Sequence, residues 1–259
     1  MSIAAARTLA ATIADVRVQS SADVLRAATV LHAFATAAGF RIAACHNIAV
    51  REPMVTGDGA LLATEVFGWT GKGWWTTPQL ALHSPLPAAC RYESEPFWAN
   101  AKGIRTAQPN PFIAAIDLTN FAARAMTPAA IVVPVHLPFG QIGAASFNPL
   151  DPELTDLSDV FAGHSDTFGL VARTFIGSYV RVMCRAQRLP AASRLSKREV
   201  ECLRWAAIGK TDFEISMIME RSRATVRFHI HNASTKLDAV NRSQTVFKAA
   251  QLGYIGLTH

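Results

Sequence analysis

From Ser196 onward, apolar residues recur at three- and four-residue intervals, and each run opens on a capping residue and closes on glycine or a polar turn. Ser196-Lys197-Arg198-Glu199 has the spacing of a capping box, in which hydroxyl and carboxylate each satisfy an unpaired backbone N–H of the first turn. It predicts a helix carrying Val200, Leu203, Ala206 and Ala207 that ends at Gly209. Thr211-Asp212-Phe213-Glu214 repeats the box and predicts a short second helix with Ile215 and Ile218 inward. After the polar turn Glu220-Arg221-Ser222, a third helix is expected over 223–236, with Val226, Ile230, Ala233 and Leu237 inward. A fourth runs from Asn241 through Val246 and Ala249 to Gly253. Two short helices joined by a tight turn, the second long and basic, form the geometry that lays a helix in the major groove of DNA.

The preceding residues alternate between helical and strand-like patterns. A helix is expected over 22–38, capped by Ser20 or Ser21, with Leu31, Phe34 and Ala38 at helical spacing and Gly39 as its stop. The segment FRIAACHNIAV suits a strand. Residues 52–111, rich in Gly, Pro and Trp, suit short helices and loops, and Trp69, Trp74, Trp75 and Trp98 there either fill a core or line a pocket. AIVVPVH and QIGAASF flank the turn Leu137-Pro138-Phe139-Gly140, an antiparallel hairpin signal. Residues 151–188 read as one or two helices, with Leu170, Val171, Phe175, Tyr179 and Val182 on an apolar face that could serve as a dimer contact. The expected organisation is a first domain over 1–187, which the family resemblance described below implies is a sensing and dimerisation domain, a linker over 188–195 and a DNA-binding helix-turn-helix domain over 196–259.

Charge sharpens this division. The 259-residue chain has a net charge of +6, and residues 191–259 hold 11 Lys or Arg against 6 Asp or Glu. Nearly all the positive balance therefore lies in the last quarter, which favours a polyanionic partner because Lys and Arg release counterions condensed on phosphates. Cys45, Cys90, Cys184 and Cys202 show no C-x-x-C spacing, which suits reduced thiols and no metal site. Arg7, Asp15 and Arg17 break up the apolar N-terminus before a signal peptide or membrane span could form, so a cytoplasmic protein without a membrane partner is expected. There is no G-x-S-x-G elbow, H-E-x-x-H or phosphate-binding glycine loop, so no enzyme and no cofactor is expected.

The segment from Leu195 to Ala250 resembles the LuxR (GerE-type) four-helix domain along its length, with Glu199, Gly209, Lys210, Thr211, Glu214, Ile215, Thr225, Val226, His229, Asn232, Lys236, Leu237, Asn241 and Arg242 among the matching positions. The resemblance implies that the helix over 223–236 is a recognition helix whose outward residues Arg227, Phe228 and His231 contact bases. Arginine suits guanine edges, and phenylalanine suits the thymine methyl group. Lys210, Thr211, Arg223 and Thr225 stand near helix starts, where backbone N–H groups favour phosphate. Glu214 and His229 are read as structural, and Arg227 as functional.

Upstream, PVHLPFGQIGAASF resembles the hairpin near the end of the acyl-homoserine-lactone-binding domain, with Pro134, Gly140, Gly143 and Ser146 at family spacing, and GWWTTP followed by SPLP resembles the segment before it. The implied fold is an α/β/α sandwich with a central antiparallel sheet, followed by the all-α helix-turn-helix domain: an α+β protein. The departures fall on the ligand. Thr77-Pro78 replaces the family's Asp-Pro, Pro87-Ala88-Ala89-Cys90 replaces Pro-Phe-x-Trp, and Ala130 replaces a glycine. A hydroxyl is a weaker acceptor than a carboxylate. Three outcomes stay open: a different small molecule, a remodelled lactone site, or no ligand. Trp69, Trp74, Trp75 and Thr77 are the expected ligand contacts.

The expected function is transcription regulation by a homodimer on double-stranded DNA under small-molecule control. The rivals are a ligand-independent regulator or an antagonist that pairs with another protein of the type. A phosphorylated receiver is disfavoured because Asp58 lacks the neighbouring acidic pair.

Overall fold

The computed structural model describes residues 3–50, 52–70, 83–184 and 194–256. They divide into two compact units, one holding a sheet and its helices, the other the last four helices. The expected linker falls largely outside the described residues.

The N-terminal unit is built on five strands: β1 (Phe40–Cys45), β2 (Phe97–Asn100), β3 (Gly103–Thr106), β4 (Ala129–His136) and β5 (Ile142–Pro149). They lie in the order β1-β5-β4-β2-β3, and every neighbouring pair is antiparallel. Strand β4 is central and buried on both faces, which explains why it reads as a continuous apolar run. Its proline, Pro134, sits past Val132, where pairing with β2 ends, so a missing N–H costs no ladder bond on that side.

The helices of this unit are α1 (Ile3–Asp15), α2 (Val24–Ala37), α3 (Leu62–Glu65), α4 (Pro85–Ala89), α5 (Pro111–Ala114), α6 (Phe121–Ala125) and α7 (Ser158–Met183). Residues of α2, α3 and α7 share one core cluster with Ile131, Val133 and Phe147 of the sheet. Residues of α4, α5 and α6 share a second cluster with the alternate residues Ala130 and Val132. The period-two alternation of β4 thus feeds two cores, and the expected α/β/α layering is present. Phe168 of α7 is the hub of the first core: its ring stacks on Phe147 at 4.3 Å and meets Phe34 and Phe40 edge-on, each at 5.7 Å.

Several expectations change. Residues 3–15 form a helix although their small side chains carry little periodic signal. The helix expected from 22 begins with a 3-10 turn, Ser21–Asp23, and Ala35, not the exposed Ala38, is buried near its end. Residues 158–183 form one helix, and Leu170 is 46% exposed while Phe168, Val171 and Ala172 face the core. The stretch read as short helices and loops also contains β2 and β3, with Trp98 buried in β2 beneath the Arg105 guanidinium at 5.5 Å.

The C-terminal unit consists of α8 (Lys197–Ala207), α9 (Asp212–Ile218), α10 (Arg223–Lys236) and α11 (Arg242–Gln251). Helix α10 spans two small cores. Its Val226 and Ile230 pack with Cys202, Ile215 and Met219, and its Ala233 packs with Leu203 and Ala249. The inward residues of α10 are as expected. On α9, however, Ile218 is 44% exposed and Met219 is buried instead, because position 219 stands one full turn beyond Ile215. Ala207 is likewise exposed, and Cys202 takes an inward place on α8. Among the described residues no helix is long and apolar enough to cross a membrane.

Candidate nucleic-acid interface

Each helix of the C-terminal unit is started by its own side chain. Ser196 accepts from the Glu199 N–H at 3.3 Å while the Ser196 N–H donates to Glu199 Oε2 at 2.6 Å. In the second box the Glu214 N–H donates to Thr211 Oγ1 at 3.3 Å, and the Thr211 N–H donates to Glu214 Oε2 at 2.8 Å. Ser222 caps α10 by accepting from the Thr225 N–H at 3.0 Å, and Asn241 caps α11 by accepting from the Gln244 N–H at 2.8 Å. These bonds set where α9 ends and α10 begins, and so aim the turn between them.

Two ion-pair systems then fix α10. Glu199, 3% exposed, also accepts from Lys236 Nζ on each of its two oxygens at 2.8 Å, which ties the start of α8 to the end of α10. Burial alone would raise the Glu199 carboxyl, but the Lys236 and Ser196 bonds outweigh it and hold the group below its ordinary value. At the other end, Asp212 is ion-paired to Arg242, which also donates from Nη2 to the Lys210 carbonyl at 2.6 Å. Arg227 reaches the same carboxylate, with Nε 3.5 Å from Asp212 Oδ2.

The outward face of α10 carries the residues expected there. The Arg227 side chain is 62% exposed, Phe228 is 60% exposed with its ring 5.8 Å from His229, and His231 is exposed. Arg223 is exposed at the first position of α10, and Thr225 is half-buried beside Ser222, the two hydroxyls 2.8 Å apart. Lys210 lies 3.5 Å from Glu214 Oε1, and the Thr211 hydroxyl donates to Glu214 Oε2 at 2.9 Å. Glu214 therefore has a capping role, and its hydrogen bonds with Thr211 hold its carboxyl below the ordinary range. Asp212 was not singled out in the sequence: an ion pair between residues fifteen positions apart leaves no periodic trace, and only its place after the Thr211 cap marks it.

Of the expected ligand residues in the N-terminal unit, Trp69 alone is among the described residues. Trp74, Trp75 and Thr77 lie outside the described residues. Trp69 packs against the first core, donates its indole N–H to the Ile42 carbonyl at 2.6 Å and sits 5.3 Å from the Arg41 guanidinium. Of the two roles open to it, packing at the sheet edge is the one its contacts favour. Cys90 belongs to the second core with Ala89 and Ala130, and burial pushes its thiol up, as it does that of Cys45, which rises to about 12. Among the described residues no group of three His, Cys, Asp or Glu side chains could hold a metal ion.

Four capped helices, the third of them basic and exposed along one face, define a helix-turn-helix module, and residues 193–249 match the family model for bacterial regulatory proteins of the luxR family. The C-terminal unit is a domain of that family. Over 123 residues, 48% of this chain, the sequence is 39% identical to the transcriptional activator protein VanR of Vibrio anguillarum, covering 50% of it. Over 125 residues it is 39% identical to RpaR, a quorum sensing-dependent transcriptional regulator of Rhodopseudomonas palustris, covering 48% of each. The match thus spans about half the length of these relatives. A crystal structure of Escherichia coli SdiA superposes with a TM-score of 0.52 at 23% identity, covering 97% of this chain and 98% of that one, a likeness of fold.

Proposed function

We propose that the chain is a LuxR-type transcription regulator that binds DNA as a homodimer, with its N-terminal unit responding to a small molecule. The observation that carries this reading is the recognition helix α10, held from both ends by ion pairs while Arg227, Phe228 and His231 stand exposed on one stretch of it. Relatives named as transcriptional regulators support it. On this reading Arg227, Phe228 and His231 meet base edges in the major groove, and Arg223, Thr225, Lys210 and Thr211 lie toward phosphates. In a dimer, two such helices address half-sites about 34 Å apart and read a site of approximate two-fold symmetry.

The small molecule differs from an ordinary acyl-homoserine lactone. Cys90, with no exposed surface, stands where the resembling family has tryptophan, and Thr77 stands where that family has a carboxylate. Trp69, Trp74, Trp75 and Thr77 are the side chains assigned to it.

A mobility-shift series on duplexes from upstream of the gene tests the reading. The protein retards a subset of fragments, and Arg227→Ala weakens that retardation by about 1–3 kcal/mol while sparing non-specific binding at low salt. Failure to retard any fragment, or retardation indifferent to Arg227→Ala, would remove the assignment.

A further inference from the structure

Resting on the DNA-binding reading, we infer that Asp212 is a specificity-determining residue: it holds Arg227 by Nε so that the guanidinium presents its two terminal nitrogens to guanine. The argument begins with which atom is engaged. Arg227 is the fifth residue of α10 and Asp212 the first of α9, and their closest approach, 3.5 Å, is from Nε to Oδ2. A guanidinium recognises guanine O6 and N7 through a pair of parallel N–H donors. With Nε turned toward the carboxylate in an ion-pair contact of 3.5 Å, Nη1 and Nη2 remain as that pair, on a side chain that is 62% exposed.

The carboxylate is itself fixed. Asp212 is only 22% exposed, it is paired through Oδ1 with Arg242, and Arg242 is anchored on the Lys210 carbonyl. Its place in the first turn of α9 also suits a negative charge. An arginine side chain left to itself samples many rotamers, so a rigid partner removes part of the ordering cost before DNA arrives. The same negative charge works against phosphate. A carboxylate beside Arg227 repels the DNA backbone, so the guanidinium is worth less as a phosphate contact and keeps its value as a reader of neutral base edges. Asp212 should therefore lower binding to DNA in general and raise the preference for the right sequence.

The test is a double-mutant cycle in the full-length protein. A pool of random-sequence duplexes is selected on the wild type, and the enriched duplex is then compared with a scrambled one for wild type, Asp212→Asn, Arg227→Ala and the double variant. Circular dichroism checks that each variant keeps its helical content. The expected result is that Asp212→Asn lowers the ratio of specific to scrambled binding about tenfold and weakens a guanine preference that Arg227→Ala also removes. In the Arg227→Ala background the Asp212 change should move the ratio by less than about twofold, the signature of action through Arg227. Equal effects in both backgrounds, or an intact guanine preference in Asp212→Asn, would overturn the inference while leaving DNA binding standing. If Asp212→Asn loses helical content, Asp212→Glu keeps the negative charge but moves the carboxylate by one methylene: a specific-to-scrambled ratio lowered with Arg227 present and unchanged in the Arg227→Ala background supports positioning, and a ratio unchanged in both backgrounds overturns it. A wild type with no sequence preference overturns the DNA-binding reading and this inference together.

Discussion

Glu199 links the stability of the C-terminal unit to its own charge state. The residue is 3% exposed, and its carboxylate serves two elements at once, the cap of α8 and the side chain of Lys236. Because its folded value lies below the ordinary 4.5, its contribution is full above that pH and is lost as pH falls through the lower folded value. Urea unfolding measured from pH 7 down to pH 3 should show this acid loss in the wild type. Glu199→Gln should cost about 1–3 kcal/mol at neutral pH and flatten the acid limb. A steep acid limb retained in Glu199→Gln would assign the loss to other carboxyls. The capping role of Glu199 was legible in its spacing from Ser196. Its pairing with Lys236 was not, since the two are thirty-seven positions apart and meet only when α8 and α10 pack.

Among the elements, α7 gives the N-terminal core its centre. The rings of Phe34, Phe40 and Phe147, from α2, β1 and β5, converge on Phe168. Phe168→Ala should therefore cost about 3–5 kcal/mol, read as a shift in the urea midpoint of the N-terminal transition, because surrounding strands cannot collapse into the space. Leu170→Ala, on the exposed side, should fall within about 0.5 kcal/mol. A helix was legible here, but its inward face was misjudged by the choice of Leu170, since a hydrophobic residue on a helix says nothing of itself about which side packs. Strands β2 and β3 escaped for a related reason. Four residues are too few to establish a period, and Trp98 and Phe97 suit a loop aromatic cluster as well as a two-sided strand.

At the scale of the whole molecule, the described residues divide into two compact units, and the proposed function puts the small-molecule response in the first and DNA binding in the second. A ligand that binds only the folded N-terminal unit stabilises that unit by RT ln(1 + [L]/Kd), about 2.7 kcal/mol at a hundredfold excess over Kd. Calorimetry of the full chain should show the N-terminal transition rising with the molecule that co-purifies with the protein, identified by mass spectrometry, and not with a series of ordinary acyl-homoserine lactones. A rise with those lactones would restore the remodelled lactone site, and Thr77→Asp would then be expected to raise it further.

What the sequence determined by itself is largely local. Caps, turns and helical periods act over three or four residues, so the four C-terminal helices, the inward residues of α10 and the β4–β5 hairpin could all be read from neighbouring positions. The family resemblance extended that reading to the layered fold. Tertiary structure decided what depends on residues far apart in the chain: which face of α7 is buried, how β4 divides its alternate residues between two cores, that Trp69 is spent on the edge of β1, and that Asp212 meets Arg227. The physical reason is that burial and charge pairing are settled by packing between elements, and a period along one element carries no record of its partner.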